Sequence, residues 1–117
     1  MKSWRIAALL FELATTNCQA HAMLDHASPP VGSSVATAPS EVRLQFTEKL
    51  EPAFSTIRVF DRAGRQVDKQ DKQMDADGTV MRVSLPPLPN GTYRVRWRAL
   101  SVDTHATEGD YTFEVGK

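Results

Sequence analysis

Apolar and polar residues alternate in five separate stretches of the chain, and each stretch is closed by turn-forming residues. Val42, Leu44 and Phe46 alternate with Arg43 and Gln45. Tyr93, Val95, Trp97 and Ala99 alternate with Thr92, Arg94, Arg96 and Arg98, the period of a strand with one buried face and an arginine-lined outer face. Ile57 and Val59 are the core residues of a strand over Phe54 to Asp61; Met81, Val83 and Leu85 of one over Val80 to Leu85; Tyr111, Phe113 and Val115 of one over Asp110 to Val115. No segment shows a sustained helical period. A short first strand runs from His21 to Ala27 and ends at Ser28-Pro29-Pro30, where the prolines remove ladder donors.

Between these strands, Glu48 to Pro52 reads as a loop or single helical turn. Arg62-Ala63-Gly64 has the length and glycine of a hairpin connection into a short polar edge strand around Arg65 to Asp68. The charged Lys69 to Gly78 segment lacks the glycine, glutamate and flanking helices of an EF-hand and reads as a solvated loop. Leu88 to Tyr93 has the layout of a tyrosine corner, in which the phenol ties down a nearby backbone carbonyl. About seven strands without repeats or helices predict an all-β fold, an Ig-like Greek-key β-sandwich or flattened barrel.

Met1 to Ala20 carries Lys2 and Arg5, an apolar run from Ile6 to Leu13 broken by Glu12, and the small residues Cys18 and Ala20. This is the layout of a secretory signal peptide, against which an unprocessed amphipathic leader is the alternative. Cleavage after Ala20 gives residues 1–20 as leader and 21–117 as one domain, with His21 as its first residue. The run is too short for a transmembrane anchor. The single cysteine of the 117-residue chain, Cys18, lies in the leader, so the processed domain holds neither a disulfide nor a thiolate metal site. Basic and acidic residues balance at 14 each, which argues against nucleic-acid binding.

Candidate chemistry lies in Ser101 to Gly109. Asp103 and His105 sit two residues apart just past the tryptophan strand and continue its inward parity if the backbone stays extended. Such a pair can bind metal, or can be a loop carboxylate hydrogen-bonded to an imidazole.

The chain resembles the CopC family of periplasmic copper-binding proteins. The resemblance rests on Ala20 before His21-Ala22, Leu24 followed by Ser28-Pro29, Val42 to Phe46 with Glu48, Phe54-Ser55, and Leu88 through Gly91 and Tyr93. Most specific is Val95-Arg96-Trp97-Arg98 running into Ser101-Val102-Asp103-Thr104-His105, then Gly109, Tyr111 and Phe113. It implies one Cu(II) per chain, held by His21 through its α-amine and ring, by Asp103 and by His105. That nitrogen and oxygen set suits tetragonal Cu(II), with Zn(II) as competitor.

His26 is a possible further ligand, although alternation puts it on the strand face opposite His21 and favours a surface or supporting role. The family's Cu(I) members carry a methionine-rich segment; here Met23, Met74 and Met81 are scattered, and Met81 reads as core filling. The resemblance implies a monomeric, non-enzymatic carrier or buffer in the periplasm, not embedded in the membrane, with an inner-membrane copper importer as a candidate partner. An oxidative copper enzyme built on a histidine brace, and a metal-free sandwich module, are the alternatives.

Overall fold

A computed structural model describes residues 22–116; the expected leader over residues 1–20, His21 and Lys117 lie outside the described residues. The strands are β1 (Leu24–Ser28), β2 (Ser34–Val35), β3 (Glu41–Phe46), β4 (Thr56–Phe60), β5 (Gln73–Met74), β6 (Val80–Ser84), β7 (Gly91–Leu100) and β8 (Ala106–Val115), with a 3-10 turn at Pro52–Phe54. They form two four-stranded sheets, ordered β1-β3-β6-β5 and β2-β8-β7-β4. The result is a sandwich and not a closed barrel. The chain crosses between sheets at every connection except β5–β6 and β7–β8.

Alternation explains the layers. Val42, Leu44 and Phe46 of β3, Met81 and Val83 of β6, Ile57 and Val59 of β4, Tyr93, Val95 and Ala99 of β7, and Tyr111, Phe113 and Val115 of β8 are all buried in one core, and Leu85 joins them just past β6. Each buried Val, Leu, Ile, Phe or Met side chain among them contributes about 1.5–3 kcal/mol relative to remaining exposed. Aromatic contacts reinforce the middle. Phe46 meets Trp97 edge to face at 5.3 Å between ring centres, linking the two sheets, and Tyr93 stacks on Phe113 at 5.7 Å. The expected tyrosine corner is present: the Tyr93 hydroxyl donates to the Pro89 carbonyl at 2.6 Å.

Several expectations are corrected. β1 starts at Leu24 among the described residues and carries a bulge between Leu24 and His26. No strand forms at Arg65 to Asp68. After Gly64 (φ 84°) the chain makes one bridge, Phe60 to Gln66, and the Asp68 carboxylate then accepts the Val59 amide at 2.8 Å, in place of a ladder partner. The 69–78 loop is less solvated than its charge predicts. Gln73–Met74 pairs with β6, Asp71 accepts the Ser84 amide, and Lys72 Nζ donates to the Ser55 carbonyl at 2.7 Å. β2 runs parallel to the end of β8, and β8 begins at Ala106, four residues before the expected Asp110.

Candidate metal centre

The ten-residue strand β7 delivers the chain to one end of the sandwich. Loop 47–55 braces that end: the Glu51 amide donates to the Leu100 carbonyl at 2.8 Å, and Leu50 bridges Ser101. Ser55 is fully buried, donates its hydroxyl to the Glu51 carbonyl at 2.9 Å and accepts the Leu100 amide at 3.1 Å, so it pins the 3-10 turn to the end of β7. Inward parity then ends at Ser101, which is fully buried.

Beyond Ser101 the backbone does not stay extended, contrary to the expectation for Asp103 and His105. A turn follows in which Thr104 adopts a left-handed φ of 72°, the Thr104 amide donates to the Ser101 carbonyl at 2.8 Å and the Ser101 amide to the His105 carbonyl at 2.9 Å. Asp103 and His105 therefore project from the rim as exposed side chains and do not continue the core face. The turn nevertheless brings them together. His105 Nδ1 lies 3.3 Å from Asp103 Oδ1, the same oxygen accepts the His105 amide at 3.3 Å, and the Ser101 hydroxyl donates to it.

The charge state of Asp103 follows from these contacts. Its carboxyl is held below the usual carboxylate range, above all by the Ser101 hydroxyl, with desolvation opposing and the contacts to His105 adding to the lowering. The turn thus presents an ionised oxygen donor beside an imidazole, fixed from below by a buried serine. Ser101 is readable in hindsight from the parity of β7, which points it inward.

The second element at this rim is the start of the described chain. Ala22 is fully buried, and its carbonyl accepts the Thr107 hydroxyl at 2.8 Å, two residues past His105. Met23 is held to the other sheet, its amide donating to the Thr47 hydroxyl at 3.0 Å and its carbonyl accepting the Thr47 amide at 2.9 Å. Sequence reasoning missed Thr107 as a residue that ties the two elements of this rim together, because its partner is 85 residues away.

His26 is not brought to the pair by any described contact. It sits on exposed β1 opposite Gln45, with Nδ1 3.4 Å from Asp25 Oδ2. Met23 is 55% exposed, whereas Met81 is fully buried and Met74, its cross-strand neighbour, packs against the core. Among the described residues no cluster of three or more His, Cys, Asp or Glu could hold an ion, and Asp103 with His105 stands as a pair of donors. A metal bound here needs further donors. Carboxylate oxygen and imidazole nitrogen suit borderline divalent ions, and two nitrogens from one terminal histidine would complete a tetragonal set.

The CopC domain model matches residues 24–116 of the chain. The copper transport protein CutJ of Bacillus subtilis is 34% identical over 117 residues, covering 97% of this chain; the chain spans only 22% of that longer relative. The crystal structure of CopC from Methylosinus trichosporium OB3b is 38% identical with a TM-score of 0.76, covering 81% of this chain and 93% of that one. PcoC, a methionine-rich copper resistance protein from Escherichia coli, is 38% identical in its crystal structure with a TM-score of 0.73, covering 82% of this chain and 99% of that one.

Proposed function

The chain belongs to the CopC family, and from that premise we propose that it binds one Cu(II) per chain through the α-amine and ring of His21, Asp103 and His105. The observation that carries the proposal is the Thr107 hydrogen bond to Ala22, which holds the residue next to His21 beside the turn bearing Asp103 and His105. An α-amine and imidazole from one residue close a chelate ring; His105 adds nitrogen and Asp103 adds an anionic oxygen that is already deprotonated. Zn(II) can use the same donors, but the Irving-Williams order favours Cu(II). No group here is required to perform catalysis. The protein acts in copper homeostasis and resistance as a periplasmic carrier or buffer, working as a monomer and supplying an inner-membrane copper importer.

Two chemical consequences belong to this reading. Cu(I) prefers soft sulfur, and among the described residues Met74 and Met81 are packed in or against the core while Met23, at the surface, is not among the Asp103–His105 pair's own donors, so reduction loosens the metal. Binding is also linked to protons. The α-amine and the imidazoles coordinate only in their deprotonated forms, so affinity declines as the pH falls.

The deciding experiment titrates Cu(II) into the chain beginning at His21 and into the chain beginning at Met1. In the longer form the His21 nitrogen is an amide, and the chelate is lost. Affinity should be lower there by several orders of magnitude; equal affinity, or more than one tightly bound equivalent in the shorter form, would sink the proposal.

A further inference from the structure

Loop 47–55 and the start of the Asp103–His105 turn form one hydrogen-bonded unit, and a lysine from the other sheet is inserted into it. The Val102 amide donates to the Lys49 carbonyl at 3.1 Å, the Glu51 amide to the Leu100 carbonyl, and the Leu100 amide to the Ser55 hydroxyl. Lys72 meets the same loop: its Nζ donates to the carbonyls of Pro52 and Ser55, the latter at 2.7 Å. The base of this lysine is itself fixed. Asp71 before it accepts the Ser84 amide at 2.8 Å, and Gln73 after it pairs with Arg82, so both neighbours are fastened to the β6 segment. The ammonium thus reaches from the sheet that holds β5 and β6 to the residue that precedes β4 of the other sheet.

This cation serves geometry and not charge pairing. Among the described residues Lys72 makes no ion pair, although it is half-buried and burial lowers its pKa from the ordinary 10.5. A partly desolvated ammonium persists where carbonyl oxygens replace its water, and hydrogen bonds from a charged donor are roughly twice as strong as neutral ones. The 3-10 turn that it clamps buries none of its residues, so packing alone does not fix that turn. We propose that Lys72 is a positioning residue for metal binding: through Ser55 it fixes the end of β7, and hence the turn that carries Asp103 and His105. The inference rests on the copper reading of that pair. Lys72 acts through one residue, because the Ser55 carbonyl takes the ammonium while the Ser55 hydroxyl takes the Leu100 amide. Outer groups of this kind set the orientation of ligands that they do not touch.

The test uses the chain from His21 onward, with Lys72→Met to keep the apolar stem and remove the donors. Cu(II) affinity should fall roughly tenfold, the low end for a group that supports metal ligands from outside, and the electron paramagnetic resonance spectrum of the bound Cu(II) should change. Ser55→Ala should weaken binding by a similar factor, and the double variant should be little weaker than either single one, since both break one path. Tyr93→Phe, which removes a hydrogen bond near the opposite end of β7, is the stability control: its copper affinity and spectrum should match the parent's even where its melting temperature falls as far. Amide hydrogen exchange of the metal-free chains is a second readout, independent of copper. In Lys72→Met the Ser101 and Thr104 amides, which close the turn, should exchange faster, while the amides of β3, paired on both sides, hold their rates. Unchanged exchange at the turn would overturn the inference, and so would faster exchange with unchanged Cu(II) affinity. A parent chain that binds no copper would sink the copper reading by itself, and the exchange rates would then decide alone whether Lys72 holds the turn.

Discussion

Thr107 and Ala22 are joined by a 2.8 Å hydrogen bond from the threonine hydroxyl to the alanine carbonyl, and this bond ties the residue two before β1 to β8 of the other sheet. Ala22 has no surface exposure, so its carbonyl has no water to replace that partner. The bond sets where the chain enters the fold.

Thr107→Val keeps the shape of the side chain and removes the donor. If His21 binds copper, losing this tether should cost about 1 kcal/mol, read as roughly fivefold to tenfold weaker Cu(II) affinity, because the terminal ligand must be ordered by the metal itself. Calorimetric titration of the chain starting at His21 checks it. Unchanged affinity would mean that the amino terminus is positioned by something else.

His105→Ala should weaken Cu(II) binding more than Asp103→Ala, since water replaces a carboxylate oxygen more readily than an imidazole nitrogen. In the metal-free protein the order reverses. Asp103 accepts from Ser101 and from the His105 amide, so its loss should lower the melting temperature, whereas His105→Ala should leave it nearly unchanged. Thermal melts with and without copper separate the two effects, and a large loss of stability in His105→Ala would favour a purely structural pair.

Much of this was open to inspection of the sequence, and the exceptions have physical causes. The strong period-two runs at Val42 to Phe46, Val80 to Leu85 and Tyr93 to Ala99 are strands with one buried face, and burial of alternate residues leaves a pattern. β2 and β5 are two-residue segments held by backbone pairing, which leaves none. The Arg65 to Asp68 segment looked like an edge strand because its polarity fits one, but a carboxylate does the work of the missing ladder there. At the rim, the spacing of Asp103 and His105 implied their adjacency. Their inward orientation did not survive, because the left-handed Thr104 reverses the chain before parity can be extended. Thr107 was invisible for a different reason: nothing local distinguishes a threonine that holds a distant carbonyl from one that faces water.

Gly109 faces Trp97 across β7 and β8, and a β-carbon there would lie 2.7 Å from the indole Cζ2. The indole is also wedged against Phe46 of the opposite sheet. Gly109→Ala should therefore destabilise the fold by about 1–3 kcal/mol through overpacking, and adding Trp97→Phe should recover part of it. Additive losses in chemical denaturation would refute the contact.

Besides Asp103, the acid limb of stability is expected to rest on Asp61 and Asp71. Both carboxyls are held below the ordinary 3.8, Asp61 first by the Arg65 amide and Asp71 first by the Ser84 amide. A depressed folded-state pKa adds stability that is complete above the unfolded value and lost as the pH falls through the folded one. The metal-free domain should thus hold its melting temperature down to about pH 4 and lose it below, and Asp61→Asn/Asp71→Asn should flatten that fall. An unaltered acid limb in the double variant would assign it to other groups.

The cover over β4 bears on how the protein behaves when crowded. β4 ends its sheet, and an open outer strand is a template on which a second chain can add and propagate. Here the Val59 amide is taken by Asp68 and the Val59 carbonyl by the Val67 amide at 2.8 Å, while Asp68 is in turn held by Gln66 and Gln70. A neighbouring molecule would have to break that arrangement before it could extend the sheet. The edge is thereby blunted against fibrillar self-association, so the folded domain can reach high concentration without polymerising along this side.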